Sequence, residues 1–487
     1  MKTKLINSLL VVGATLVFLT SCKRELLTPT PQTSISDATA FDSPFRIGNQ
    51  VLSLYASFKS GAFYGGRFLV YGDSRAEEFI SEDPNLVTGF DVWQLIPTNS
   101  ATAVLGLWSQ CYSVINQCNL FIDGMNAKGT TVVGAAKGAN YIGEARLIRA
   151  ISYYSLLQHY CRPYADGAGS KLGLPLRLIG LKGPGFSDLA RSTVAEIYTQ
   201  ILSDLDYAET NLPLTNGAAS ANTTRAHRNT AIAFKTRVYL SMQNYAQVIA
   251  EANKIVPAAP PFVATSGVAH ALQADYVNVF KTPFTTTESI LSMPFTTGNG
   301  DAPGTQNGLQ GYYYASATGI GSIYSLNPAG IIADAGWKAT DRRRFFIFTA
   351  TTGKKYLTKF PTASPADYTP VIRWAEVLLN LAEARVRSLN TIDLQAIALL
   401  NAVRSRSDAT TIFTVASFAT AADLINAIMN ERRIEFLGEG LRINDLMRLL
   451  QTIPGKGTVG PKGPSESGYT WPASANEKSL NRLWVDG

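Results

Sequence analysis

Apolar positions recur at three-to-five-residue steps along much of this chain, the spacing that puts them on one face of an α-helix. The pattern runs from Ala40 to Lys59. It returns from Leu105 to Asn126, where Leu105, Trp108, Tyr112, Ile115 and Leu120 share a stripe. From Tyr141 to Tyr160 the stripe is Ala145, Ile148, Ile151, Tyr154 and Leu157, and Arg162-Pro163 with the glycine-rich stretch 166–173 ends it. Thr193 to Glu209 and Asn229 to Val256 repeat the pattern, and a break at Gln243-Asn244 makes the second a helical hairpin. Trp374 to Arg387 pairs with Leu394 to Arg404, and Ala421 to Arg433 leads to a last helix around Arg442 to Leu450.

Helices of this length in pairs, with Ala231, Ala246, Ala250 and Ala382 at positions of close approach, are similar to tetratricopeptide-type repeats with a degenerate 34-residue signature. Between residues 258 and 370 the chain turns to Pro, Gly, Thr and aromatic residues, with strand-like pieces at Ser289 to Phe295 and Arg344 to Ala350. The predicted fold is mainly α. A tetratricopeptide-like helical-hairpin scaffold covers about 41–257 and 371–487, and a loop-rich excursion with a few short strands covers about 258–370.

The first residues read as an export signal, with Lys2 and Lys4 followed by an apolar run from Leu5 to Leu19. That run is shorter than the ~20 residues of a spanning helix. Leu19-Thr20-Ser21-Cys22 resembles a bacterial lipobox. The expectation is a signal peptide at 1–21, acylated Cys22 as the mature N-terminus, a Thr/Pro/Ser-rich tether at 22–40, and a body from 41 on that meets the membrane through lipid alone. With 46% hydrophobic and 16% charged residues the body has material for a large core. The formal charge of +7 is spread over the chain and gives no nucleic-acid footprint. Beyond Cys22, Cys111, Cys118 and Cys161 are an odd set. On one helix Cys111 and Cys118 stand roughly 10 Å apart along the axis, too far for a bridge, so buried thiols are expected.

Reactive constellations are sparse. His159, His227 and His270 are scattered and match no zinc spacing. Gly72-Asp73-Ser74 has the look of a GDSL-esterase nucleophile block, but no histidine follows His270 to complete it. The loop Gly455 to Pro461 lacks the Gly-Lys-Ser/Thr ending of a P-loop and reads as a surface loop. Glu376 and Glu383 lie seven residues apart on a predicted helix, where pairing with Arg373 or Arg387 is expected rather than glycosidase chemistry.

Three motifs carry a family resemblance. Arg373-Trp374-Ala375-Glu376-Val377-Leu378-Leu379-Asn380-Leu381-Ala382-Glu383-Ala384 resembles the signature helix of the SusD/RagB family. Leu400-Asn401-Ala402-Val403-Arg404-Ser405-Arg406 resembles its Leu-Asn-x-Val-Arg-x-Arg element. Glu431-Arg432-Arg433-Ile434-Glu435-Phe436, with Glu439-Gly440-Leu441-Arg442 and Asp445-Leu446, resembles its Glu-Arg-Arg block. Weaker echoes run from Trp108 to Asn119 and from Glu144 to Tyr160. The stretch Tyr469-Thr470-Trp471-Pro472-Ala473-Ser474-Ala475-Asn476-Glu477 only partly matches the family's ending. The charged motif residues are read as scaffold, tying helices by charge-assisted hydrogen bonds in a buried seam.

The resemblance implies a non-catalytic surface lipoprotein of a Bacteroidetes-type outer membrane. It would capture oligo- or polysaccharide, or peptide in some branches, and load it into a SusC-like TonB-dependent barrel. A surface-attached hydrolase or esterase and an adhesion protein are the rival readings. No cofactor is expected; structural calcium, which occurs in the family, is left open because no acidic loop of EF-hand spacing is present. For the ligand site, rings that stack on sugar faces are expected among Trp93, Tyr312, Tyr313, Tyr314 and Trp337, with Arg75 and Asn99 as polar partners, because all lie in loop-like stretches.

Overall fold

The computed structural model describes residues 39–183, 187–296, 298, 300–304, 306–314, 316, 321–361 and 366–486. The expected signal peptide, Cys22 and nearly all of the tether lie outside the described residues. Among the described residues the frame is built by α1 (Pro44–Phe58), α2 (Arg67–Arg75), α3 (Thr102–Gly124), α4 (Ala135–Tyr160), α5 (Val194–Asn211), α6 (Arg228–Ser241), α7 (Tyr245–Ala252), α8 (Trp374–Leu389), α9 (Leu394–Ser405), α10 (Ala421–Glu435), α11 (Arg442–Arg448) and α12 (Ala475–Leu480), with a few further short helical turns between them. Their starts follow from capping chemistry. Thr193 and Glu196 cap α5 reciprocally, Thr420 and Asp423 do the same for α10, Asn244 starts α7, and Asp393 accepts from the Ala396 amide at α9.

Helix packs on helix in chain order. α4 lies between α3 and α5, α5 meets α6, α6 pairs with α7 across the Gln243-Asn244 turn, and α8 receives α7 on one side and α9 and α10 on the other. This is a mainly α succession of helical hairpins around one large apolar core, with smaller apolar clusters beside it. The strands are short antiparallel pairs: β1 (Phe79–Ser81) with β5 (Tyr324–Leu326), β2 (Leu172–Pro175) with β3 (Arg191–Thr193), β4 (Ser289–Met293) with β8 (Thr369–Arg373), and β6 (Ile347–Thr349) with β7 (Lys355–Leu357). Cys111, Cys118 and Cys161 are buried free thiols.

The three motif segments converge. Glu435 of α10 accepts from Arg406 at 2.6 Å, from Arg373 at 3.0 Å and from Arg343 at 3.1 Å. Glu439 accepts from Arg373 twice at 2.8 Å and from Lys359 at 2.9 Å. Glu431 holds Arg343 and Arg404, and Glu288 holds Arg373 and Arg406. Arg343, Glu288 and Lys359 come from the excursion and the rest from the scaffold, so this buried network sews one to the other. Arg432 binds Asp445 at 2.8 Å, Arg433 reaches Glu78 and Arg442 reaches Glu77. Glu376 pairs with Arg237 at 2.6 Å, not with Arg373, whose guanidinium is taken by Glu288, Glu435 and Glu439. Glu383 binds Arg387 as expected and also Arg448.

Gly440 explains the glycine of the Glu-Gly-x-Arg motif. Its φ of +73° is left-handed, and a Cβ there would meet the Leu69 carbonyl oxygen of α2 at 2.6 Å. Opposite it, a Cβ on Gly72 would meet the Gly440 carbonyl oxygen at 2.3 Å. Two backbones therefore touch with no room for a side chain. Gly440→Ala is expected to destabilise the fold by about 2 kcal/mol or more in urea unfolding; a loss below about 0.5 kcal/mol would show that the contact relaxes freely.

A candidate ligand cleft beside the C-terminal segment

Most of the residues proposed from the sequence are packed inside. Trp93 is buried, stacks on Phe90 with ring centroids 5.7 Å apart and donates its indole N–H to the Phe79 carbonyl at 2.9 Å. Tyr312 and Tyr313 are fully buried, donating to the Gln306 carbonyl at 2.8 Å and to Asp73 at 2.7 Å. Trp337 is buried beneath the Arg344 guanidinium, 4.5 Å from the ring centroid. Arg75 is fully buried and donates to the Tyr469 carbonyl at 2.6 Å and to the Gln158 carbonyl at 3.3 Å. These five form no exposed platform, because their side chains are buried in the body of the protein. Tyr314, at 39% exposure, is the one proposed ring that reaches solvent.

Asn99 stands elsewhere, on the rim of a cleft of about 940 Å³. The loop from Ile96 to Asn99 forms one wall of this cleft. The end of α4 and the turn into β2 form the second, with Tyr160, Arg162, Lys171 and Leu172. The third comes from β3 and the C-terminal segment, with Arg191, Trp471, Lys478, Trp484 and Asp486. Trp108, Tyr160 and Trp471 meet edge-on, with centroids 5.0 Å and 5.4 Å apart, and show the cleft little more than their edges. Trp484 is half-buried. It lies 6.0 Å from Trp108 at 72°, with the Arg191 guanidinium 4.6 Å from its centroid. Its indole N–H donates to Asp486 at 2.9 Å.

The wall is held from behind. His159 stacks on Trp471 at 4.6 Å, and its carbonyl accepts the Trp471 amide at 2.7 Å. Burial, then the neighbouring Arg75 charge, hold the His159 imidazole well below its ordinary pKa, so it is neutral. Arg75 thus acts as a support behind the cleft. α12 is strapped down by Arg177 to Glu477 at 3.1 Å, by Asn481 to the Leu189 carbonyl at 2.7 Å, and by Arg191 to the Val485 carbonyl at 3.0 Å. A smaller cavity of about 390 Å³ lies on the other side of this strap and shares Trp108.

Among the described residues, the side chains of Asn99, Lys171 and Thr470 have no hydrogen-bond or ion-pair partner within the protein. An amide, a hydroxyl and an ammonium beside a half-buried indole suit a ligand with hydroxyl groups and apolar C–H faces. The sequence reading reached Asn99 but passed over Trp471 and Trp484. The signal for Trp471 was the stretch 469–477, where the chain departs from the family pattern, and Trp484 follows seven residues beyond it.

The Gly72-Asp73-Ser74 block lies inside α2 and all three residues are buried. Burial pushes the Asp73 carboxyl up to about 8, against opposing hydrogen bonds from Tyr313 and the Gly440 amide. A raised folded-state pKa stabilises below the ordinary carboxylate range and loses that contribution as pH rises through about 8. Native protein is therefore expected to lose stability relative to Asp73→Asn as pH rises from the ordinary value of 3.8 to about 8, and no further above that, in paired urea melts; parallel pH curves over that range would contradict the assignment. The loop 455–461 is also not wholly superficial: Lys456 is buried, donating to the Ala76 carbonyl at 2.8 Å and to the Ser74 carbonyl.

Comparison with known proteins places this geometry. A SusD family model matches residues 347–481, and a model described as "Starch-binding associating with outer membrane" matches residues 33–240. Two proteins of Formosa agariphila are similar. SusD-like protein P38 is 24% identical over 97% of this chain and 96% of its own length, and SusD-like protein P25 is 24% identical over 56% of this chain and 48% of its own. A solved SusD superfamily protein from Bacteroides fragilis is 30% identical, with a TM-score of 0.81 over 92% of this chain and 100% of that one. No helix among the described residues is long and apolar enough to cross a membrane. With that identity over nearly the whole of both chains, this chain belongs to the SusD superfamily.

Proposed function

We propose that this chain is a capture protein. It binds an oligo- or polysaccharide in the cleft of Asn99, Trp471 and Trp484, at the exterior of the outer membrane where lipid on Cys22 holds it, and passes it to a SusC-like TonB-dependent barrel without cleaving it. The observation that carries the reading is a roomy cleft, with a half-buried indole and unengaged polar side chains, in a chain of this family. The starch-binding description of the N-terminal family model supports a glycan over a peptide.

Binding without turnover fits the carboxyl groups. A glycosidase needs one carboxyl kept protonated near its working pH. Hydrogen bonds from Lys478 and Trp484 hold Asp486, in the cleft, below the usual range. The raised carboxyls Asp73, Glu78, Asp91 and Glu144 do not line the cleft. The reading calls for no cofactor.

Calorimetric titration of residues 23–487 against plant, host and microbial polysaccharides, their oligomers and peptides tests this reading. Saturable glycan binding with no product by chromatography is expected. Product release would establish a hydrolase, and binding of peptides alone would move the site to the peptide class. Co-purification from native outer membranes is expected to bring a TonB-dependent barrel with the protein, and recovery without one would remove the delivery step.

A further inference from the structure

The cleft's charges do not balance. It is lined by the cations Arg162, Lys171, Arg191 and Lys478 and by the carboxylates Glu466 and Asp486. Two cations are already satisfied: Arg162 by Asp166 at 2.6 Å and Lys478 by Asp486 at 2.5 Å. Glu466 turns back to accept the Gly463 amide. Lys171 and Arg191 have no carboxylate within ion-pair distance among the described residues. They sit side by side, because Arg191 donates to the Leu172 and Gly173 carbonyls, both at 2.8 Å, just beyond Lys171.

We propose that the cleft takes an acidic glycan, a chain bearing carboxylate or sulfate groups, and that Lys171 and Arg191 meet the anion while the ring stacks on Trp484. This rests on the glycan-capture reading above and names its ligand class. Arg191 spends three N–H groups on backbone carbonyls, those of Gly173, Leu172 and Val485, and keeps two of its five. Its guanidinium covers one face of the Trp484 indole, 4.6 Å from the ring centroid, which leaves the other face for a sugar and the free N–H groups beside the ring. This half-buried guanidinium has lost solvation and gained no ion pair at contact distance, and burial lowers its pKa against the more distant attraction of Asp486, which Lys478 already holds. An anion from the ligand supplies the missing partner. Without Lys2 and Lys4 the formal charge of residues 23–487 is +5, which favours the approach of polyanions at low salt.

Residues 23–487 are titrated in a calorimeter with uronic-acid oligomers, sulfated oligomers, and the carboxyl-reduced and desulfated forms of each, at low and high salt. Acidic oligomers are expected to bind roughly tenfold tighter than neutral forms of the same length at low ionic strength, with the advantage shrinking as salt screens the charges. An advantage confined to one series identifies the anion as carboxylate or as sulfate. Lys171→Gln removes an exposed, unpartnered charge and leaves the fold intact. It is expected to narrow the acidic-to-neutral ratio about threefold, and Lys171→Gln with Arg191→Gln to bring it close to one. Equal affinity for neutral and acidic forms, unchanged in Lys171→Gln, overturns this inference and leaves glycan capture standing. Binding of no glycan, or of peptides alone, overturns the capture reading as well.

Discussion

Glu435→Ala is expected to destabilise the protein by about 3 to 5 kcal/mol, read as a fall in the urea midpoint at neutral pH. Glu435 is fully buried and is the one carboxylate that Arg343, Arg373 and Arg406 share. Truncation leaves three guanidinium groups facing one another with less negative charge to hold them. That is the costly way to break a buried ion network, because desolvation remains after the attraction has gone. Loss is expected to be greatest where the excursion meets α8 to α10, seen as faster amide exchange in residues 341–346 and 369–373. The effect has a pH signature. The Arg406, Arg373 and Arg343 charges, against burial, hold the Glu435 carboxyl down to about 2. Its contribution is present above the ordinary value of 4.5 and is lost as pH falls through about 2, so the gap between native and variant narrows in acid. A loss below about 1 kcal/mol at pH 7 would show that the motif charges do not hold the two parts together.

Trp484→Ala is expected to weaken binding of the captured oligosaccharide at least tenfold, about 1.4 kcal/mol or more, while the unfolding midpoint changes little. The indole is half-buried, so its removal takes a stacking face from the ligand and leaves the main core in place. It also frees the Arg191 guanidinium from the ring. Trp484→Phe, which keeps an apolar face but loses the N–H to Asp486, should fall between the two. Trp93→Ala and Tyr313→Ala should show the opposite balance. Their rings are core residues, so the main loss is in stability. Native affinity in Trp484→Ala would remove this ring from the site.

The fold was largely legible because amphipathic helices write their buried face into the sequence. Ala421 to Arg433 was expected and Ala421–Glu435 is found; the break at Gln243-Asn244 falls between α6 and α7 as read. α2 escaped for a physical reason. All nine of its residues are buried, so it has no polar stripe against which an apolar one stands out. The site was less legible. Aromatic residues in loop-like sequence were taken for exposed, yet Tyr312, Tyr313 and Trp337 lie in irregular backbone that is itself packed into the core. Burial is a property of the assembled chain, and local polarity does not report it. Trp108 belongs to the apolar stripe of its helix and is core, as is Tyr160 at the end of α4, but both also line the cleft. Trp471 and Trp484 come from the segment where the family pattern lapses. Motif residues such as Arg373 and Glu435 are tied to one another and build the scaffold. The wall that carries Trp471 and Trp484 is supplied by the C-terminal segment, where the chain departs from the motif.

The most direct test of the account is a crystal structure of residues 23–487 grown with a saturating oligosaccharide drawn from the calorimetric panel. The account predicts sugar density in the cleft, with one ring stacked on Trp484 and a hydroxyl within hydrogen-bond distance of the Asn99 amide. Sugar bound instead over Tyr314, with the cleft holding only water, would contradict it.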